Sequence, residues 1–220
     1  MNLFDILGPI MVGPSSSHTA GAVRIGNVGM KLLGDVPKKA SIYLHGSFAD
    51  TGKGHGTDLA IIAGLLGMEP DDMRIPHSME IAKEKGLEFS FFEKQIREAH
   101  PNTAYLQLEH ANGKRLDLQA CSLGGGRILI NEIDGLRANF HGDKPTLIVR
   151  NEDKPGHVAF VTTTLANAGI NVATLVLNRS KRGADAVIVI ETDMDIPTDV
   201  ISRMEKGSGI HKVTYLNLQK

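Results

Sequence analysis

The chain reads as an α+β protein of two regions, and three observations carry that reading. In residues 146–220, patterned segments follow the order strand, helix, strand, strand, helix, strand, which is the split βαβ arrangement of a ferredoxin-like βαββαβ sheet. In the first region, three alternating apolar segments lie close together at Thr103–Glu109, Arg115–Cys121 and Arg127–Ile133. Asn112-Gly113 joins the first two as a hairpin turn, so a mixed or antiparallel sheet is expected there. Between the regions, Asn139-Phe140-His141-Gly142-Asp143-Lys144-Pro145 is rich in turn-forming residues. It sets the expected domains at 1–142 and 146–220.

Each element has a local reason. Ala20–Leu33 reads as a helix on the spacing of Val23, Ile25, Val28, Met30, Leu32 and Leu33, with Gly21, Gly26 and Gly29 permitting close packing at a cost in helix propensity. Ala40–Phe48 alternates as a strand, Ile42 and Leu44 on one face, Tyr43 and His45 on the other. Thr57–Leu66 is apolar all round, a buried helix closed by Gly67. Farther on, Thr146–Arg150 is a strand, His157–Ala168 a helix stopped by Gly169, and Asn171–Ser180 with Ala184–Glu191 a hairpin. Pro197-Thr198 starts a helix over Asp199–Lys206, and Ile210–Leu218 is a last strand. Phe89-Ser90-Phe91-Phe92 is expected in the core or at an interface.

Composition narrows the function classes. The apolar fraction of 41% and charged fraction of 22% are those of a folded globular chain. A net charge of −1, with no tryptophan, offers neither a basic stripe for phosphates nor a stacking platform for bases, so no nucleic acid is expected. No apolar run is long enough to span a bilayer. Met1-Asn2-Leu3-Phe4-Asp5 lacks the basic start of a secretory signal, and a cytoplasmic location is expected. Cys121 is the only cysteine, too few thiolates for an iron–sulfur cluster ligated within this chain. The histidines outside the two motifs below show no metal-ligand spacing, so no metal site is assigned.

Two glycine-rich motifs carry the chemistry. In Gly13-Pro14-Ser15-Ser16-Ser17-His18-Thr19-Ala20-Gly21, hydroxyls and an imidazole crowd the start of a helix. Free backbone N–H groups there attract anions, and hydroxyls can cap the helix or hold a ligand. Both roles stay open for Ser15, Ser16, Ser17 and Thr19. In Thr51-Gly52-Lys53-Gly54-His55-Gly56-Thr57-Asp58, glycines on either side of His55 let backbone approach a ligand, and Lys53 is placed to attract a carboxylate. His18 and His55 are both candidates for a base that is neutral near pH 7. Ser122-Leu123-Gly124-Gly125-Gly126 reads as a bulge and tight turn, with an anion-binding loop between strands as the alternative.

The two motifs, with His45-Gly46-Ser47 and Ser122-Leu123-Gly124-Gly125-Gly126, resemble the β chain of iron–sulfur L-serine dehydratases. The first region is also similar to the allosteric substrate-binding domain of some phosphoglycerate dehydrogenases, which implies an α/β substrate-binding-like domain. Asn151, Asp153, Pro155 and Gly156, followed by Gly169-Ile170-Asn171-Val172, resemble an ACT domain, a regulatory amino-acid-binding module. The resemblance implies conversion of L-serine to pyruvate and ammonia. His18 or His55 would be the base, and Ser15, Ser16, Ser17, Thr19 and Lys53 would hold the substrate. It also implies a [4Fe-4S] cluster ligated by a partner α subunit, an amino-acid ligand at Asn151, Asp153, Gly156 and Asn171, and a homodimer through the ACT domain. The alternative is a non-catalytic amino-acid-sensing module that controls a partner enzyme.

Overall fold

A computed structural model describes residues 10–218, the side chain of Lys53 excepted. The chain divides into two compact units, Met1–Asp134 and Gly135–Lys220.

In the first unit, a π-helical turn at Ser16–Gly21 runs without a break into α1 (Ala22–Leu33), which Gly34 ends in the left-handed conformation. β1 (Lys39–Leu44) is followed by two single-turn helices, α2 (Ser47–Asp50) and α3 (Gly52–His55), and then by α4 (Thr57–Leu65). α5 (Ser78–Glu84) leads to β2 (Glu88–Glu93). β3 (Thr103–Glu109), β4 (Arg115–Gly124) and β5 (Arg127–Ile133) follow, and the strands of this unit lie in the order β2-β1-β3-β4-β5. The pairs β1/β3, β3/β4 and β4/β5 are antiparallel, and β1/β2 is parallel. The sheet is therefore mixed.

α1 and α4 pack with their backbones in near contact. A Cβ on Gly26 would lie 2.4 Å from the Ile61 carbonyl oxygen, and one on Gly64 only 2.0 Å from that of Val23. α1 in turn rests on Leu106 and Leu108 of β3 at Gly29. Ile25, Leu33, Ile42, Ile61, Ile62, Leu65, Leu106 and Leu118 are fully buried in this unit.

The structure corrects four local expectations. The first helix begins at Ser16 as a π-turn, because Ser15 caps it earlier than the apolar spacing indicates. β1 stops at Leu44 rather than Phe48: Gly46 takes a φ of 53°, and a Cβ there would meet Pro101 backbone at 2.8 Å. Phe89-Ser90-Phe91-Phe92 belongs to an edge strand, β2, with Phe92 exposed. Part of the presumed interruption is ordered as β6 (Leu136–Phe140), at the start of the second unit.

The second unit continues with β7 (Thr146–Glu152), α6 (His157–Asn167), β8 (Val172–Arg179), β9 (Asp185–Thr192), α7 (Thr198–Glu205) and β10 (Ile210–Leu216). The sheet order is β10-β7-β9-β8 with every neighbour antiparallel. That is the ferredoxin-like order, first and third strands central. Leu147, Val149, Val161, Leu165, Ile188, Ile190 and Met204 form its core.

Candidate active site around His18

The Ser-rich run folds as it does because Ser15 is extended (φ −142°, ψ 123°) and its hydroxyl accepts the His18 backbone N–H at 3.2 Å. The π-turn then sits closely on β4. At Gly21 a Cβ would fall 2.1 Å from the Ser122 hydroxyl oxygen, so only glycine fits beneath that side chain. The Ser16 hydroxyl accepts from Gly125 N–H at 3.3 Å, and Arg24 Nη1 donates to the Gly126 carbonyl at 3.0 Å. The β4–β5 turn, where the pairing slips register between Ser122 and Gly124, thus clamps the hydroxyl run. Gly124, Gly125 and Gly126 all have positive φ there, which glycine adopts without strain.

His18 is 8% exposed, and the second glycine-rich segment closes over it. Its Nε2 lies 3.0 Å from Thr51 Oγ1, 3.2 Å from Ser47 Oγ and 3.4 Å from the Ser47 carbonyl oxygen. Its Nδ1 lies 3.3 Å from Ser15 Oγ. The Phe48 ring meets it edge-on at 5.3 Å between centroids, and the His55 ring at 5.0 Å and 71°. His55 itself is exposed at the end of α3. Two imidazoles, one buried and one facing solvent, therefore share an edge.

Burial pushes the His18 pKa below its ordinary value. The Ser47 carbonyl opposes that shift, and the neighbouring His55 adds to it. The result is a neutral imidazole surrounded by hydroxyls, an arrangement that can take up a proton near neutral pH.

The sequence-predicted residues divide accordingly. His18, His55 and Ser15 come together at the imidazole pair; Ser16 and Ser17 line the adjoining glycine turn, Ser17 facing Gly124. Thr19 does not join them: it is 2% exposed, its hydroxyl has no partner, and it fills the space over Gly13. Lys53 lies outside the described side chains. Ser47 and Thr51 were missed as site residues. Both stand in motifs quoted above, but nothing local in those motifs ties either residue to His18.

In the second unit, Asn151, Asp153 and Gly156 lie at one end of the sheet. Asn151 is 2% exposed; its amide donates to the Glu152 carbonyl, and its Oδ1 has no partner. Asp153 accepts from Gly183 N–H at 2.8 Å and Arg179 Nη1 at 3.0 Å, contacts that hold its carboxyl below the usual range, the Gly183 bond most strongly. Gly156 (φ 100°) opens α6, whose first turn has no side-chain cap. Asn171 stands apart: Asn151 pairs with Ala186 and Val172 with Thr192, six residues along β9, about 20 Å away. One chain does not assemble all four residues into one pocket.

Cys121 is buried in β4, and burial raises its thiol pKa. Among the described residues, no group of three or more His, Cys, Asp or Glu side chains is placed to hold a metal. These residues do not fit an iron–sulfur cluster, which calls for several accessible thiolates. No helix among them is long and apolar enough to cross a membrane.

The first unit thus carries a hydroxyl–imidazole cluster on a mixed-sheet frame, and the second is ferredoxin-like. The comparisons are narrower. A family model described as serine dehydratase beta chain matches residues 2–133, the stretch that carries His18 and its neighbours. The chain belongs to that family. It is 41% identical over 213 residues to "Probable L-serine dehydratase, beta chain" of Bacillus subtilis, covering 97% of this chain and 96% of that one. It is 37% identical to "L-serine dehydratase, beta chain" of Peptoniphilus asaccharolyticus, covering 88% and 87%. Similarity at 23% identity extends to a D-3-phosphoglycerate dehydrogenase of Methanocaldococcus jannaschii, over 90% of this chain and 37% of that protein. Among solved structures, the ACT domain from GTP pyrophosphokinase of Chlorobium tepidum matches with 20% identity and a TM-score of 0.29, covering 33% of this chain and 95% of that one.

Proposed function

We propose that this chain is the β subunit of an L-serine ammonia-lyase, working in the cytoplasm with an iron–sulfur α subunit to convert L-serine to pyruvate and ammonia. One observation carries the chemical part: two segments about thirty residues apart converge to hold a buried neutral imidazole, an exposed imidazole and three hydroxyls together. Deamination of serine removes the Cα proton and the β-hydroxyl; the aminoacrylate formed then hydrolyses to pyruvate and ammonia. The His18–His55 pair is suited to receive the proton, because burial keeps His18 neutral and their mutual repulsion disfavours charging both rings. The Ser16 hydroxyl, whose oxygen accepts from Gly125 N–H and whose proton is left to donate, suits the substrate carboxylate. The [4Fe-4S] cluster is assigned to the α subunit.

The second unit is proposed as an ACT-type regulatory module whose amino-acid ligand meets Asn151 and the uncapped start of α6. The unpartnered Asn151 Oδ1 supports an ammonium-bearing ligand there. The unit is also proposed to form a homodimer through edge strand β8. Leu175 and Leu177 are exposed there on the same face as the core residues Ile190 and Ile188.

The test is to co-express the chain with its α partner, reconstitute the cluster anaerobically and follow pyruvate formation. His18→Ala and His55→Ala are each expected to lower turnover at saturating serine at least about a hundredfold. Normal turnover in both variants, with only the serine dependence altered, would turn the assignment into that of a sensing module. The chain alone is expected to acquire no cluster and form no pyruvate; a cluster with turnover on the isolated chain would overturn the division of labour.

A further inference from the structure

The surroundings of His18 determine which of its nitrogens carries the proton. Three oxygens converge on Nε2, and two can only accept. The Ser47 carbonyl has no proton to give, and the Thr51 hydroxyl has committed its own to that same carbonyl at 2.8 Å. A bare Nε2 could accept only from the Ser47 hydroxyl at 3.2 Å and would set its lone pair against the nearer Thr51 oxygen and the Ser47 carbonyl in a site only 8% exposed, whereas an Nε2–H is met by both. At Nδ1 the only partner among the described residues is Ser15 Oγ, which accepts the His18 backbone N–H and keeps its own proton to donate.

We infer that Thr51, anchored on the Ser47 carbonyl, is a positioning residue that fixes neutral His18 as the Nε2–H tautomer, leaving Nδ1 behind the Ser15 hydroxyl as the ring's one basic atom. A proton entering the ring then enters on the Ser15 side. Once it does, Nδ1–H donates to Ser15 Oγ, and the Ser15 hydroxyl proton turns outward. Ser15 thereby presents an acceptor to a ligand while His18 is neutral and a donor once His18 is protonated. No bond other than hydrogen bonds is exchanged. His55 is the titratable group whose ring meets His18 edge-on, and it touches neither end of this chain of contacts through a hydrogen bond.

The tautomer is tested on the full chain by long-range proton–nitrogen correlation NMR with ring-labelled histidine, at pH 8. Wild type is expected to show His18 protonated at Nε2. Thr51→Val removes the acceptor at nearly constant shape and is expected to raise the Nδ1–H population, and Thr51→Ser to restore the wild-type pattern. A proton on Nδ1 in wild type, or a pattern indifferent to Thr51→Val, overturns the inference. A second arm rests on the enzyme reading above: in the assembled enzyme, Thr51→Val is expected to lower kcat about tenfold, with KM within about twofold, and Thr51→Ser to recover it. A shifted tautomer with unchanged kcat overturns the positioning role and leaves the serine dehydratase assignment standing. Full turnover by both His18→Ala and His55→Ala removes that assignment and leaves the tautomer result standing.

Discussion

His18 has a cost as well as a use. Burial lowers its pKa from 6.5, so the unfolded chain takes up a proton before the folded one does. The folded state therefore loses stability as pH falls below about 6.5, and the loss levels off below the lowered folded value. Above 6.5 both states are neutral and the group contributes no slope. Thermal melts between pH 8 and 5 are expected to show a falling Tm over that window, and His18→Gln to flatten it. The two histidines and the serines around them were legible in sequence because glycine and serine crowd them. Ser47 and Thr51 were not, since their role depends on a one-turn helix that places both hydroxyls over a ring about thirty residues earlier in the chain. No local pattern encodes such a contact. Thr19 differs from its neighbours in three dimensions alone: its place in the motif looks like theirs, but the π-turn directs it inward.

At the scale of elements, the contact between α1 and α4 sets the frame on which both site segments are mounted. The π-turn leads into α1, and α3 leads into α4. The atoms a new methyl would strike at Gly26 and Gly64 include backbone, which cannot swing aside. Gly26→Ala and Gly64→Ala are each expected to cost about 3 kcal/mol or more in denaturant unfolding, enough to threaten folding. Gly54→Ala, with nothing within 4 Å of its new methyl, should change stability by less than about 1 kcal/mol. The α1 and α4 cores, the Asn112-Gly113 hairpin and the whole βαββαβ order were readable because period and turn chemistry agreed. β2 was not, since Phe89-Ser90-Phe91-Phe92 breaks strict alternation at its end, and β6 hid among residues typical of loops. Asn139 even takes a left-handed φ of 51° within that strand.

At the scale of the molecule, the charge balance and the edge strand bear on assembly. With a net charge of −1, electrostatics alone gives little drive to association, so burial of apolar surface is the available force. Leu177 on β8 is 44% exposed, on a strand whose outer edge has no neighbour in its sheet. Leu177→Lys is expected to shift the chain from dimer to monomer in sedimentation velocity at micromolar concentration, with its far-ultraviolet circular dichroism unchanged. A dimer that survives the substitution would locate the contact elsewhere. The family was visible in sequence; the convergence of the two motifs of the first unit on one imidazole became visible only in three dimensions.

The π-turn at Ser16–Gly21 has a genetic corollary. Such a turn holds one residue more than the α-helical period, so deleting a single codon within it would restore ordinary winding. Because a π-turn absorbs its extra residue without turning the segments on either side, Ser15 and α1 would keep nearly their present phase, and only the side chains projected by the turn itself would change. One in-frame triplet thus separates a turn that seats His18 among hydroxyls from an ordinary helical turn, at no cost to how α1 packs.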